Sequence, residues 1–479
     1  MTAVFTLAEA AIAAAAQVER PGAKLPTGAF QGVFTDSRKS QIGALFVALS
    51  GERHDGAAFA VQAARDGAGG VLVQAQGAAA VVEGLARAGL YPAVLVTGDT
   101  GRALLGLGRA WRGRHASLRA VAITGSAGKT STKELIASVL AAAGPTLKTE
   151  GNLNNEIGVP LTLLQLEAQH RFAAVECGMN HLGEIARLCA AVDPEAGVVT
   201  NVAPVHLEGC GSIEGVAAAK GELFHGLRAG AAAVANADDA RVLEQARLSG
   251  RRLITFGRAA GADVRLLSAV HGGPGLLVDF TLRGQPARAA LQLIGLHNGQ
   301  NACAAAAAGL ALGLGSAEIL SGLAAARTPG RRMKPVRLAG GALLIDDCYN
   351  ANPASTRSAL ETAAALLGPG GRPLLVLGDM LELGPTELTL HAALGPLAAS
   401  LGPSLLVAFG VRARALATAA IEAGLPEARV LRTDDPAAAA QAVQTVLTPA
   451  DVVLVKGSRG MKMERISDLL TGAAPEGAH

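Results

Sequence analysis

The sequence predicts an α/β protein built on mostly parallel sheets with helices on both faces. Three observations predict it. Short apolar strands alternate with helical stretches, most regularly in the last third of the chain. Half of the residues are hydrophobic but only 3% are aromatic, the excess being Ala, Val and Leu, which suits helices packed closely on buried strands. A glycine loop, Gly125-Ser126-Ala127-Gly128-Lys129-Thr130-Ser131, falls between a strand and a helix. A chain of 479 residues has room for about two to four domains.

In the first hundred residues, Gly32–Phe34, Ala44–Leu49 and Gly70–Val73 are predicted strands, with a helix over Ala58–Asp66. Tyr91–Thr97 begins a further strand, and Asp99–Arg114 reads as a helix leading into the apolar run Ala120–Thr124. After the glycine loop, Leu135, Ile136, Val139 and Leu140 share one helical face of Thr132–Ala143. Phe172–Val175 is a short buried strand ending at Glu176, Gly183–Val192 a helix stopped before Pro194, and Gly197–Val202 a strand followed by a loop with His206. Ser212 is placed to cap the helix that carries Lys220. Ala231–Ala235 is the next strand, and residues 253–293 form a mostly β excursion. The run Ala302–Gly315 is too short to cross a bilayer and reads as a buried helix. The last third places strands at Ala342–Asp346, Pro373–Leu377, Leu405–Phe409, Val430–Arg432 and Asp451–Val455, with Gly368–Gly371 and Gly410 as loop punctuation.

Several classes are disfavoured. The 42 basic and 39 acidic residues leave a net charge of +3, too balanced for a phosphate-backbone binder, and aromatic stacking platforms are lacking, so no nucleic acid is expected. Five cysteines, Cys177, Cys189, Cys210, Cys303 and Cys348, have no metal-ligand spacing. They fit a reducing cytoplasm and read mostly as small buried hydrophobes. Glu9 interrupts the N-terminal apolar stretch and no basic region precedes it, so neither a signal peptide nor an integral membrane protein is expected.

The chemistry centres on the glycine loop. Backbone N–H groups and a helix N-terminus both favour an anion there, Lys129 is placed to reach terminal phosphates, and the Thr130 hydroxyl to hold Mg²⁺. Only Ser126 and Ala127 separate its first glycine from Gly128-Lys129, shorter than the general phosphate loop, so the alternative is an ordinary turn with a surface lysine. Glu176 ends a strand, where open α/β sheets gather ligands; it is either a solvated carboxylate or part of a site. His206 follows a second strand, and is either a surface histidine or a partner of Glu176 at a metal. Lys220 is either a solvated helix lysine or a desolvated amine able to react with carbon dioxide. Asn298 and Asn301, in His297-Asn298-Gly299-Gln300-Asn301, either read an adenine edge, or Asn298 simply caps the helix that this segment opens. Asp346 and Asp347 end what reads as the first strand of the last domain, where acids often touch a ribose.

In order, Gly125 to Thr130, Glu176, His206, Lys220, His297-Asn298, Arg331 and Asp347 resemble the Mur ligases of peptidoglycan synthesis, over essentially the whole chain. That family has the short form of the loop. Within it, Thr35-Asp36-Ser37-Arg38-Lys39, Leu45 to Leu49 and Gly51-Glu52-Arg53 resemble the uridine domain of the later ligases. The Asp-Asn-Pro-Arg tetrapeptide of the ligase adding the third residue is absent. Gly151 to Gly158, Asp347 to Pro353, Leu377 to Gly384 and Val455 to Gly460 resemble the members that add D-alanyl-D-alanine.

The resemblance implies three domains: UDP-binding over 1–98, ATP-binding over 99–327 and Rossmann-like over 328–479, with a hinge near Arg327–Gly330. It implies ATP-dependent addition of D-alanyl-D-alanine to UDP-N-acetylmuramoyl-tripeptide through an acyl phosphate; a cytoplasmic monomer is expected. It implies ATP phosphates on Gly125, Ser126, Ala127, Gly128, Lys129, Thr130 and Ser131, adenine on Asn298 and Asn301, and further nucleotide contacts from Arg331 and Asp347. One Mg²⁺ is implied at Thr130 and Glu176, and a second at His206 and a carbamate on Lys220. Ser37 and Arg38 are implied in the UDP pocket, and Asn154 and Asn155 on the muramoyl side. For the dipeptide, Asp379, Asn352 and Arg459 are candidates.

Overall fold

A computed structural model describes residues 4–20, 28–51, 55–272, 275–327 and 330–472. Glu52, Arg53, Thr328 and Pro329, and all of the C-terminal tail beyond Gly472, lie outside the described residues. The chain divides into two compact units, Met1–Thr255 with Ala307–Ile319, and Phe256–Ala306 with Leu320–His479.

The first unit holds an antiparallel pair, Val4–Phe5 with Phe30–Gln31, and two larger groups of strands. One orders its strands Gln17–Arg20, Ala93–Thr97, Gly70–Gln74, Leu45–Val47, Val33–Phe34, parallel except for the first pair. The other is parallel, in the order Ala232–Asn236, Ala196–Val199, Arg119–Thr124, Phe172–Glu176, Thr146–Lys148. Its central strand Arg119–Thr124 is buried throughout except for Arg119, as a strand covered on both faces must be. Register fixes the site: Glu176 lies opposite Ile123, and Val199 opposite Thr124. Three chains therefore leave the sheet at one level, carrying Gly125, Cys177 and Thr200.

The helix Thr100–Gly113 is capped by Asp99, whose carboxylate accepts from Arg102 N. It packs against Gly158–Leu163, so closely that a Cβ on Gly108 would lie 2.7 Å from Pro160. Its buried Arg112 donates to the carbonyls of Val192, His115, Leu118 and Asp193. That engages the guanidinium and ties the turn after its own helix to the end of the helix Glu184–Val192.

The second unit contains an antiparallel sheet, Val264–Gly272, Gly275–Leu282 and Gln285–Leu291, with a register shift between Leu266 and Ser268. Its six-stranded sheet runs Lys334–Arg337, Leu343–Asp347, Val452–Lys456, Pro373–Gly378, Leu405–Phe409, Val430–Thr433. Only the edge strand Lys334–Arg337 is antiparallel. Alternate residues serve opposite faces: Leu375 and Leu377 join one apolar cluster, Leu374 and Val376 another. Helices cover both, as the βαβα alternation predicts.

The expected α/β class is the observed one, with local differences. The strand expected over Gly197–Val202 ends at Val199, because Thr200 and Asn201 turn to bind the glycine loop. Asp346 and Asp347 end the second strand of their sheet, not the first. Glu9 does not merely interrupt an apolar stretch: with Thr6 it forms a capping box on the helix Leu7–Ala13. All five cysteines are buried and free. Among the described residues no helix is long and apolar enough to cross a membrane.

Candidate active site

The glycine loop is strapped to the exit of the neighbouring strand. Gly125 has φ +151°, and a Cβ there would fall 1.8 Å from Thr200 Oγ1. The Ser126 and Ala127 amides donate to Asn201, to its backbone oxygen (2.9 Å) and its Oδ1 (2.8 Å). Thr200 Oγ1 and Asn201 Nδ2 donate back to Ala127 O at 2.7 and 3.1 Å. Asn236 Nδ2 in turn donates to Thr200 O at 2.8 Å. Gly128, in the left-handed region, is the N-cap of the helix Lys129–Ala141. With two loop amides engaged by Asn201, the donors for an anion are the first-turn N–H groups, which helix geometry leaves without intrahelical acceptors. Lys129 Nζ donates to Gly125 O at 2.8 Å, which folds the ammonium over the loop.

Next to it stands a buried carboxylate. Glu176 is 2% exposed; its Oε2 accepts from Thr130 Oγ1 and its Oε1 from Asn154 Nδ2, both at 2.8 Å. The solvated-carboxylate alternative is thereby removed. Asn154 is held by its backbone, Gly178 N donating to Asn154 O at 2.7 Å. Asn155 has a local duty: its Oδ1 accepts from Ile157 N and Gly158 N and starts the following helix.

Lys220 is 2% exposed, in the helix Ile213–His225 capped by Ser212 as the sequence predicts. It is not a solvated lysine. Burial, with the Lys129 charge adding to it, pushes its ammonium well below the ordinary lysine range. His206 has φ +55° and is exposed. Partial burial first, then the charges of Lys220 and Lys129, lower its pKa. His206, Lys220 and Lys129 thus lie within one another's field, and a neutral imidazole is available as a ligand there.

The remaining expected nucleotide contacts lie in the second unit. Asn298 does not cap its helix. Its Nδ2 donates to Ile294 O (2.7 Å) and its Oδ1 accepts from Asn301 Nδ2 (2.9 Å), so the two amides orient each other. Arg331 pairs with Asp346 (2.9 Å) and Asp468 (2.7 Å). Asp347 accepts from Met333 N and forms a buried ion pair with Lys456 at 2.6 Å.

Ser37 and Arg38 form a short 3₁₀ turn capped by Asp36, and Arg38 is exposed with its guanidinium on Asp36. Of the dipeptide candidates, Asp379 is buried and accepts from Ala413 N, and Asn352 caps the helix Pro353–Ala365. Arg459 is exposed and paired with Glu464. Sequence reasoning missed Thr200, Asn201 and Asn236, which shape the loop. Their signal was polar residues directly after apolar strands, at the sheet edge that carries the loop.

The donor set suits a hard cation in one place. Thr130 and Glu176 offer adjacent oxygens, as Mg²⁺ requires. Among the described residues no three His, Cys, Asp or Glu side chains make a metal cage, so a second cation beside His206 would need Lys220 converted to an anion.

A strand–glycine loop–helix unit with a buried carboxylate, lysine and histidine defines a nucleotide-dependent enzyme. Family models match three stretches: the Mur ligase family catalytic domain over residues 29–99, the Mur ligase middle domain over 123–309 and the glutamate ligase domain over 331–459. The UDP-N-acetylmuramoyl-tripeptide–D-alanyl-D-alanine ligase of Escherichia coli is 39% identical over 443 residues, covering 91% of this chain and 92% of that one. MurF from Acinetobacter baumannii superposes with a TM-score of 0.85 at 31% identity, over 98% of this chain and 99% of that one. MurF of Thermotoga maritima in complex with ADP gives 0.79 at 25% identity, over 92% and 97%. The chain belongs to the Mur ligase family.

Proposed function

We propose that the protein joins D-alanyl-D-alanine to UDP-N-acetylmuramoyl-tripeptide at the expense of ATP, releasing ADP and phosphate and forming the pentapeptide precursor of peptidoglycan. The observation that carries the reading is the buried Glu176 carboxylate, held by Thr130 and Asn154 beside the Lys129 loop, within a chain similar along 91% of its length to a ligase of that name. Free, buried cysteines support a cytoplasmic setting. The division of labour follows three domains, 1–98 for UDP, 99–327 for ATP and 328–479 closing over the nucleotide.

The tripeptide carboxylate attacks the γ-phosphorus of ATP, and ADP leaves. Both reactants are anionic. The Lys129 ammonium and the first-turn N–H groups of its helix offset that repulsion and orient the phosphates. The resulting acyl phosphate is attacked by the dipeptide amine; phosphate leaves and an amide bond forms. Loop and domain closure keep water from the acyl phosphate. Mg²⁺ at Thr130 and Glu176, and a second ion at His206 and a Lys220 carbamate, would supply further positive charge at the transferring group. For the carbamate, the neutral Lys220 nitrogen adds to the carbon of CO₂ and releases one proton to water. Asn298 and Asn301 would face adenine, Arg331 and Asp347 the nucleotide, Ser37 and Arg38 the uridine diphosphate, and Asn154 with Asn155 the muramoyl peptide.

The test is ADP release with each pair of UDP-muramoyl peptide and amine. Turnover is expected with the tripeptide and D-alanyl-D-alanine. Coupling of a single diamino acid to the dipeptide precursor, with no pentapeptide, would overturn the reading.

A further inference from the structure

A closed ring of contacts runs beneath the candidate metal site. Lys133 lies one helical turn beyond Thr130 and is 1% exposed, an unusual place for a lysine. Its ammonium donates to Thr149 O at 2.7 Å and pairs with Glu134, which also binds Lys148 at 2.7 Å. Thr149 is fully buried where the chain leaves the strand Thr146–Lys148. Its own N–H extends the sheet to Ala174 O at 3.1 Å, and its Oγ1 accepts from Glu176 N at 3.0 Å. Glu176 then closes the ring by accepting from Thr130 Oγ1.

We infer that Lys133 and Thr149 are positioning residues that set the Thr130–Glu176 oxygen pair for its cation. Neither side chain reaches that pair with its own polar atoms. Lys133 locks Thr149 to the helix that bears Thr130, and Thr149 fixes the backbone of Glu176, so the distance between the two oxygens is set by a frame outside the site. A buried charge costs desolvation, and an apolar side chain could fill that space. What the ammonium adds is a defined direction for the Thr149 carbonyl. The same turn leads into Glu150–Gly158, which carries Asn154, the other partner of Glu176. Outer partners of metal ligands act in this way and typically change metal affinity or activity by about ten- to a hundredfold when removed.

The inference rests on the reading of Glu176 as a metal-site residue. The experiment is calorimetric titration of Mg²⁺ into full-length protein saturated with ADP, alongside thermal melting. Thr149→Val keeps the shape but removes the acceptor of Glu176 N–H; Lys133→Met keeps the length but removes the ammonium. Each is expected to weaken Mg²⁺ binding about tenfold or more, while Thr149→Ser stays within about twofold of the unchanged protein. Thr149→Val or Lys133→Met protein that melts cooperatively and binds Mg²⁺ like the unchanged chain overturns the inference. A merely structural role would lower the melting temperature alone. Glu176→Ala separates the two failures: if it too binds Mg²⁺ normally, the reading of Glu176 is what falls.

Discussion

Thr130 gives its hydroxyl proton to Glu176 Oε2 at 2.8 Å, joining the first turn of the nucleotide-loop helix to the end of the adjacent strand. The bond fixes the two oxygens side by side. It uses one proton and one lone pair, so both oxygens keep lone pairs with which a cation could be held. Thr130→Ser keeps that oxygen and is expected to retain most activity. Thr130→Val removes it, leaves Glu176 short of a donor, and should lower kcat by about tenfold or more, on the scale of one lost metal contact. Steady-state rates of ADP release over a range of Mg²⁺ check this; a valine variant with unchanged Mg²⁺ dependence would contradict it.

Gly125 cannot accept a side chain. Its φ of +151° is costly for a side chain, and an added Cβ would sit 1.8 Å from Thr200 Oγ1 and 3.2 Å from Thr200 N. The backbone nitrogen cannot move without tearing Thr200 from Thr124 O, its partner at 3.0 Å. Gly125→Ala should therefore abolish nucleotide binding and lower the melting temperature, whereas Gly151→Ala, with open space around its Cβ position, should cost only the strain of φ +56°. Fluorescent nucleotide titration and calorimetric melting measure both effects.

The Lys129 ammonium is folded over the loop, and on the proposed function it faces the ATP phosphates. Removing it should lower kcat by roughly a hundredfold or more, as for loss of one electrostatic stabiliser of a transition state. Calorimetric melting of Lys129→Ala separates loss of charge from loss of fold, because Lys129 Nζ also holds the loop carbonyl Gly125 O at 2.8 Å. Turnover at the unchanged rate would mean that the loop does not hold ATP.

Much of this site is readable in sequence because strand, loop and helix follow one another locally. Gly125 to Ser131 needs only the apolar run before it and the helical face after it. Glu176 and Lys220 are different: their burial is decided by what packs on them, which spacing along one chain does not reveal. Lys220 read alone fits a solvated helix face, yet it is 2% exposed. The helix Ala75–Arg87 escaped notice although Ala78, Val81 and Leu85 form a buried stripe, and the edge strand Lys334–Arg337 because Pro335 argues against a strand. Asn155 and Asn352 show the converse: a motif residue can be occupied by capping.

Lys220 should trade stability for function. Its folded pKa is lowered by burial, so the native state holds fewer protons than the unfolded chain, and stability must rise with pH across that window. The cost of burying the lysine is absent above its unfolded pKa of about 10.4, grows as pH falls below that value, and levels off once pH drops past the folded pKa. Lys220→Met removes the cost. In protein freed of metal and bicarbonate, the variant should melt higher than the unchanged chain near neutral pH, and the difference should shrink toward pH 10. The same lowered pKa leaves a larger share of neutral amine near neutral pH, which is the form that adds CO₂. Lys220→Met should therefore be folded, more stable and nearly inactive, while Lys220→Ala, which leaves space, should regain part of its activity with acetate or another short carboxylate. Mass spectrometry and melting curves with and without bicarbonate read the two halves separately. A methionine variant that melts lower at every pH would show that the lysine is stabilised by a partner rather than strained by burial.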